Sequence, residues 1–136
     1  MYIEWAVSGE IEAASPGFNL SQVGLGGLLV TESQLPIVVP LGFLVCFRMD
    51  DGDFATETRY DYILDVSGPD GLQTQIPRRV ANRADSSPQL ADPERMFLPD
   101  EVDVTVTRAG QHTVTIRDAT GVRYVLPWVF AVLPEP

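Results

Sequence analysis

The stretch that decides the fold is residues 101–133, EVDVTVTRAGQHTVTIRDATGVRYVLPWVFAVL. Val102, Val104 and Val106 alternate with polar residues, and the same period of two returns after each of two glycine-containing turns. Alternation of this kind, rich in β-branched residues, is typical of half-buried β-strands. The stretch therefore predicts an antiparallel meander of three strands.

Further strands are predicted on the N-terminal side of this meander. Residues 36–49 are apolar almost without interruption, which indicates a strand buried on both faces. The other predicted strands are 3–7, 18–31 as one strand or two, 58–67 and 72–77. About eight short strands separated by Gly and Pro turns, with no helical period, predict an all-β antiparallel sandwich, with a small barrel as the less favoured alternative.

One long segment, residues 78–95, lacks periodicity and is predicted to be an irregular loop. Its length exceeds that of most connections, which favours a functional or mobile segment. Arg78, Arg79 and Arg83 form a small basic spot there that could bind an acidic partner or an anionic ligand. An ordinary solvated loop explains the same residues.

Length and charge narrow the classes of function. The chain has 136 residues, which fits a single domain over 1–136. Its net charge is −10, and the first 77 residues hold eleven of the nineteen acidic residues. Such a surface repels nucleic-acid phosphates and anionic lipid headgroups. We therefore expect neither a nucleic-acid partner nor a membrane partner.

The cysteine content and the N-terminus favour the cytoplasm. Cys46 is the single cysteine, so an intrachain disulfide is impossible, and its apolar neighbours predict a buried thiol. The first residues lack a basic segment followed by an apolar one, as a secretory leader requires. The longest apolar stretch, Leu35 to Phe47, is shorter than the roughly 20 residues of a membrane-spanning helix.

Asp50, Asp51 and Asp53 form the most suggestive cluster for a metal. Clustered carboxylates in a loop can gather Ca²⁺, which prefers six to eight oxygen ligands. The sequence also resembles the start of a helix-flanked calcium loop, but Asp61 stands where that loop requires Glu. A solvated hairpin turn is the favoured interpretation, because Asp and Gly are preferred in turns.

No catalytic arrangement is recognisable, and we expect no enzyme activity. His112 is the single histidine, and no serine lies in a nucleophile motif that would pair with it. A structural role resembling that of the tyrosine corner in immunoglobulin-like sandwiches is favoured. The glycines at 24, 26 and 27 lack the spacing and following helix of a phosphate site and predict a strand bend. No cofactor is implied.

The chain resembles a group of short bacterial proteins of unknown function with an Ig-like or C2-like sandwich. The likeness lies in Gln22-Val23-Gly24 with the later Leu35-Pro36, in the charged central hairpin, and in 109–112 leading to 129–132. His112 stands where an aromatic residue is expected. The resemblance implies the sandwich fold and no assigned activity.

These observations favour a non-catalytic protein-binding or assembly module. Partner binding or self-association is expected through an end loop or a sheet edge, with Val129 to Leu133 as the candidate edge. The alternative is a module that binds a ligand or metal, either Ca²⁺ or a carbohydrate. Trp5 and Trp128 are predicted to be core residues and would suggest a sugar platform only if they were exposed together.

Overall fold

The computed structural model describes residues 1–14, 17–24, 26–49, 58–82 and 95–135. These ranges hold ten β-strands and one 3₁₀ turn, Glu32–Gln34. They contain no helix that is long and apolar enough to cross a membrane. The strands are β1 (Tyr2–Ser8), β2 (Glu10–Ala13), β3 (Phe18–Ser21), β4 (Gly27–Thr31), β5 (Ile37–Arg48), β6 (Thr58–Gly68), β7 (Gly71–Asn82), β8 (Arg95–Val106), β9 (Gly110–Asp118) and β10 (Gly121–Leu133). The predicted all-β class is confirmed.

Two sheets build the sandwich. Sheet I has three strands in the order β1-β5-β8, and sheet II has five in the order β4-β10-β9-β6-β7. Strands β2 and β3, which follow β1 and precede β4 in the chain, form a separate hairpin. Every described pair is antiparallel except β4 with β10, which is parallel. The inner faces of the two sheets enclose a common apolar core, so the sandwich prediction is confirmed.

Alternating side chains of the long strands form this core. Leu64 and Val66 of β6 are fully buried, as are Val114 and Ile116 of β9, while the residues between them face outward. Burial of one such aliphatic side chain stabilises the fold by about 1.5–3 kcal/mol. The period of two in the sequence therefore corresponds to the division between core and outer face.

The central strand β5 is buried on both faces, as its continuous apolar sequence predicts. All residues from Phe43 to Phe47 are buried. The odd-numbered ones belong to the core, whereas Cys46 lies on the outer face between Trp5 of β1 and Phe97 of β8. The rings of Trp5 and Phe97 lie 5.9 Å apart between centroids, and Cys46 is fully buried.

The predicted loop at 78–95 is wrong at both ends. Strand β7 continues through Arg78 and Arg79 to Asn82, and β8 already begins at Arg95. Both extensions are held by pairing with long neighbours, β7 with β6 and β8 with β5. Arg78 interrupts the apolar alternation of Ile76 and Val80, which is why the sequence pattern ended too early.

The prediction of a free edge at Val129 to Leu133 is also wrong. These five residues pair in parallel with Gly27 to Thr31, so β4 is the edge strand. Short strands account for the count of ten instead of about eight. Residues 18–31 hold two strands, β3 and β4, and the four-residue β2 has no clear alternation.

The attachment of β4 to β10 leads to a stability prediction at Gly26. A Cβ placed there would lie 2.8 Å from the backbone oxygen of Pro127, too close for a real contact. We expect Gly26→Ala to lower the free energy of unfolding by about 1–3 kcal/mol, the usual cost of overpacking. Gly27→Ala is the matched control, because nothing lies within 4 Å of its added methyl group. Equal urea midpoints for the two variants would contradict the predicted contact.

Candidate protein-binding surface

Only some of the sites predicted from the sequence lie within the described residues. Asp50, Asp51, Asp53 and Arg83 lie outside the described residues, so the metal alternative and the role of Arg83 stay predictions. In the described ranges, no three His, Cys, Asp or Glu side chains come together as a metal site would require.

Arg78 and Arg79 point to opposite faces of sheet II. Arg78 faces sheet I and contacts Asp100 of β8 through two hydrogen bonds, with N–O distances of 3.0 and 3.1 Å. This contact raises the pKa of the Arg78 guanidinium, while burial opposes it. Arg79 lies on the outer face and contacts both oxygens of Asp61, the nearer at 2.6 Å. The two arginines therefore do not present one joint basic surface.

The β6–β7–β9 side of the outer face is polar. A groove of about 580 Å³ lies there, with Ile63 and Pro77 among its lining residues. Arg79 and Arg117 also line it, and Arg117 contacts both oxygens of Asp65, the nearer at 2.6 Å. The hydrogen bond from Arg117 lowers the pKa of Asp65 despite partial burial. Each outward aspartate of this region is thus neutralised by a neighbouring arginine.

The β10–β4 side of the same face is apolar. Strand β10 buries Leu126, Trp128 and Phe130, so the residues between them face outward. In an antiparallel sheet with one solvated face, such outward positions are usually polar. Here they are not. We define the apolar stripe as Leu29, Val125, Pro127, Val129, Ala131 and Leu133, all of them exposed.

Exposure of the stripe is large for apolar side chains. Leu29 is 68% exposed and Val129 is 54% exposed. Leu29 pairs with Ala131 across the β4–β10 ladder, so the two strands form one continuous surface. Contiguous apolar patches of several hundred Å² on a folded chain mark interaction sites. Singly scattered apolar residues do not carry this meaning, but a stripe along one strand does.

The edge beside the stripe belongs to β4. The backbone oxygen of Gly26 accepts a hydrogen bond from the N–H of Val129, which holds the start of the strand against β10. At the other end, the N–H of Thr31 donates to the side-chain oxygen of Gln34 at 2.8 Å. In a parallel ladder, alternate residues direct their backbone groups to each side. The middle of β4, around Leu29, therefore presents backbone groups at the edge that no described residue pairs with.

Side chains block the other lateral edges of the two main sheets at single points. Gln73 of β7 both donates to the carbonyl of Thr105 and accepts from its N–H, at 2.7 and 2.9 Å, which satisfies the backbone of that residue on β8. The hydroxyl of Tyr124 donates to the carbonyl of Glu4 on β1, where the ladder is also bulged. Pro77 removes one N–H donor from β7. Devices of this kind prevent pairing with foreign strands.

A second polar network ties the end of β9 to β6 and β10. Asp118 accepts hydrogen bonds from Tyr60, from both the N–H and the hydroxyl of Thr120, and from Arg123. Burial raises the pKa of the Asp118 carboxyl, but these hydrogen bonds outweigh it and hold the pKa well below its usual range. Burial and the hydrogen bond to Asp118 raise the pKa of Tyr60 to about 12. The network is structural, since its donors and acceptors satisfy one another.

Of the remaining sequence candidates, His112 and Trp128 lie in the core, whereas the prediction that Trp5 is a core residue is wrong. His112 is buried with its ring against Phe130 at 4.9 Å, and its Nδ1 has no hydrogen-bond partner in the described part of the chain. Trp128 is buried between the sheets, while Trp5 lies on the outer face of sheet I. The two tryptophans thus lie on different surfaces and form no common platform.

The stripe was missed by sequence reasoning, although the sequence carries its signal. Residues 125–133 are apolar at every position, so the positions between Trp128, Phe130 and Val132 are apolar as well. A strand with apolar residues at both sets of positions is either covered on both faces or exposes one apolar face. The structure shows the second case for β10.

Comparison with known proteins adds no relative. No protein-family model matches the chain, and no curated protein matches it. The resemblance to a bacterial family with an Ig-like or C2-like sandwich therefore stays a hypothesis.

Proposed function

We propose that the chain is a non-catalytic protein-binding module and that the apolar stripe on β10 and β4 is its docking surface. The observation that carries the proposal is the exposure of apolar side chains at consecutive outward positions of a strand that lies next to the edge of sheet II. Burying this surface against a protein is favourable in proportion to the apolar area removed from water. The polar residues of β9 beside it supply a rim, as protein interfaces usually have.

Several features of the chain support this class over the alternatives. The described polar clusters are internally satisfied by Arg–Asp contacts, which leaves little reactive chemistry on the outer face. The Ig-like or C2-like relationship, the bacterial origin and a cytoplasmic location belong to the same proposal. Cys46 is the single cysteine of the chain, and its buried thiol fits a reducing compartment.

A photocrosslinking amino acid placed at position 129 tests the proposal in cells that express the chain. We expect protein adducts from position 129, because a bound partner lies within reach of that side chain. Position 38 is the matched control, since Val38 is also a half-exposed valine but lies on sheet I. Adducts at equal yield from both positions, or none from position 129, would refute the docking surface.

A further inference from the structure

The two outer faces of the sandwich differ in charge. On sheet II, the outward positions of β4, β9 and β10 carry no acidic residue, and Asp61 and Asp65 of β6 each contact an arginine. On sheet I, Glu101 and Asp103 are exposed at outward positions of β8. The whole chain has a net charge of −10, so two copies repel each other over most approaches. Between these two outer faces, that of sheet II is the one on which two copies meet least repulsion.

The stripe of one copy is also chemically suited to pack against the stripe of another. It extends over the nine residues from Val125 to Leu133, about 27 Å at the usual rise of an antiparallel strand. A partner that covers it without burying an unpaired charge must itself present a long apolar strip. The stripe of a second copy meets this requirement. The residues of β9 that flank it, Gln111, Thr113 and Thr115, are polar but uncharged, so their burial leaves no unpaired charge.

The size of the stripe fits the centre of a dimer interface. A stable interface involves about 20–30 residues on each partner, whereas the stripe has six. Packing of two sheets face to face also buries the polar positions of β9, because stacked sheets lie about 10 Å apart and cover each other broadly. The stripe then forms the apolar centre and β9 the rim.

We propose that the occupant of the apolar stripe is a second copy of this chain, packed through the same outer face of sheet II. This inference rests on the proposed function, since it names the partner of that surface. The two copies bring stripe against stripe, and the acidic outer faces of sheet I point away from each other. The driving force is burial of apolar area, so the association persists in high salt.

Sedimentation velocity of the purified chain between 1 and about 100 μM tests the dimer, at low salt and in 1 M NaCl. We expect a concentration-dependent dimer at both, because screening weakens charge contacts but not apolar burial. Val129→Asp places a charge at the centre of the stripe and is expected to weaken dimerisation more than tenfold, since a buried unpaired charge is costly. Val38→Asp makes the same change at a valine of similar exposure, 58% against 54%, and is expected to leave the dimer intact.

Other outcomes overturn the inference. A monomer at all concentrations would do so, as would a dimer lost in Val38→Asp but kept in Val129→Asp. Should Val129→Asp fail to fold by circular dichroism, Leu29→Gln on the edge strand provides the same test. A monomer that still gives adducts from position 129 in cells would remove the second copy and leave the protein-binding function. A chain that stays monomeric and gives no adducts from position 129 would refute both the dimer and the protein-binding function.

Discussion

Phe47→Ala is expected to lower the free energy of unfolding by about 3–5 kcal/mol, the usual cost of removing a buried phenylalanine. Phe47 is fully buried near the C-terminal end of β5 and contacts the rings of Tyr60 and Tyr62, with centroid distances of 5.8 and 5.7 Å. These neighbours come from the opposite sheet, so the cavity would lie between the two layers. Urea denaturation followed by fluorescence measures the effect.

Phe97→Ala is the matched control for Phe47→Ala. Phe97 is half-exposed on the outer face of sheet I, where its ring contacts Trp5. Truncation there removes little buried area, so we expect a loss of no more than about 1 kcal/mol. A loss at Phe97 as large as that at Phe47 would contradict the assignment of the core to the space between the sheets.

Asp118→Asn is expected to lower the free energy of unfolding by about 2–3 kcal/mol at pH 7, the scale of hydrogen bonds to a charged group. The side chain of Asp118 is only 6% exposed, and it accepts from Tyr60, Thr120 and Arg123. Because folding holds its pKa below the unfolded value, its contribution to stability is present above about pH 4. As the pH falls through the folded pKa, that contribution is lost.

The pH dependence separates this role from simple packing. We expect the difference between wild type and Asp118→Asn to shrink steadily as the pH is lowered from 5 toward 2 in urea titrations. Asp70→Asn is the control, since Asp70 forms an exposed pair with Arg108 and such pairs contribute little. A difference at Asp118 that stays constant with pH would show that shape and not charge makes the contribution.

The sequence predicts the layers of this fold better than the arrangement of its strands. Alternation at residues 102–106 and 112–116 follows directly from burial of one face, a local property that a single segment expresses. The parallel pairing of β4 with β10 depends on two segments about one hundred residues apart. No local pattern encodes such a pairing, which is why Val129 to Leu133 was predicted to be an edge.

The candidate surface was hidden for a related reason. The sequence does not distinguish an apolar residue that faces outward from one that faces inward. Only the register of strand pairing assigns each residue to a face. Arg78 and Arg79 illustrate the opposite error. As neighbours in the sequence they suggested one basic spot, but the period of two of β7 directs them to Asp100 and Asp61 on opposite sides of the sheet.

The amide of Gln73 has a consequence for behaviour at high concentration. The Gln73 amide occupies both backbone groups of Thr105. These groups on the edge of β8 can therefore not pair with a strand of another molecule. Tyr124 occupies one carbonyl of β1, and Pro77 removes one N–H from β7, so among the described edge strands of the two main sheets only β4 has no such block at its middle. Filament growth needs two such places on every subunit, one to join and one to extend. A concentrated solution of this protein is therefore expected to form no fibres and to show no rise in turbidity after a lag phase.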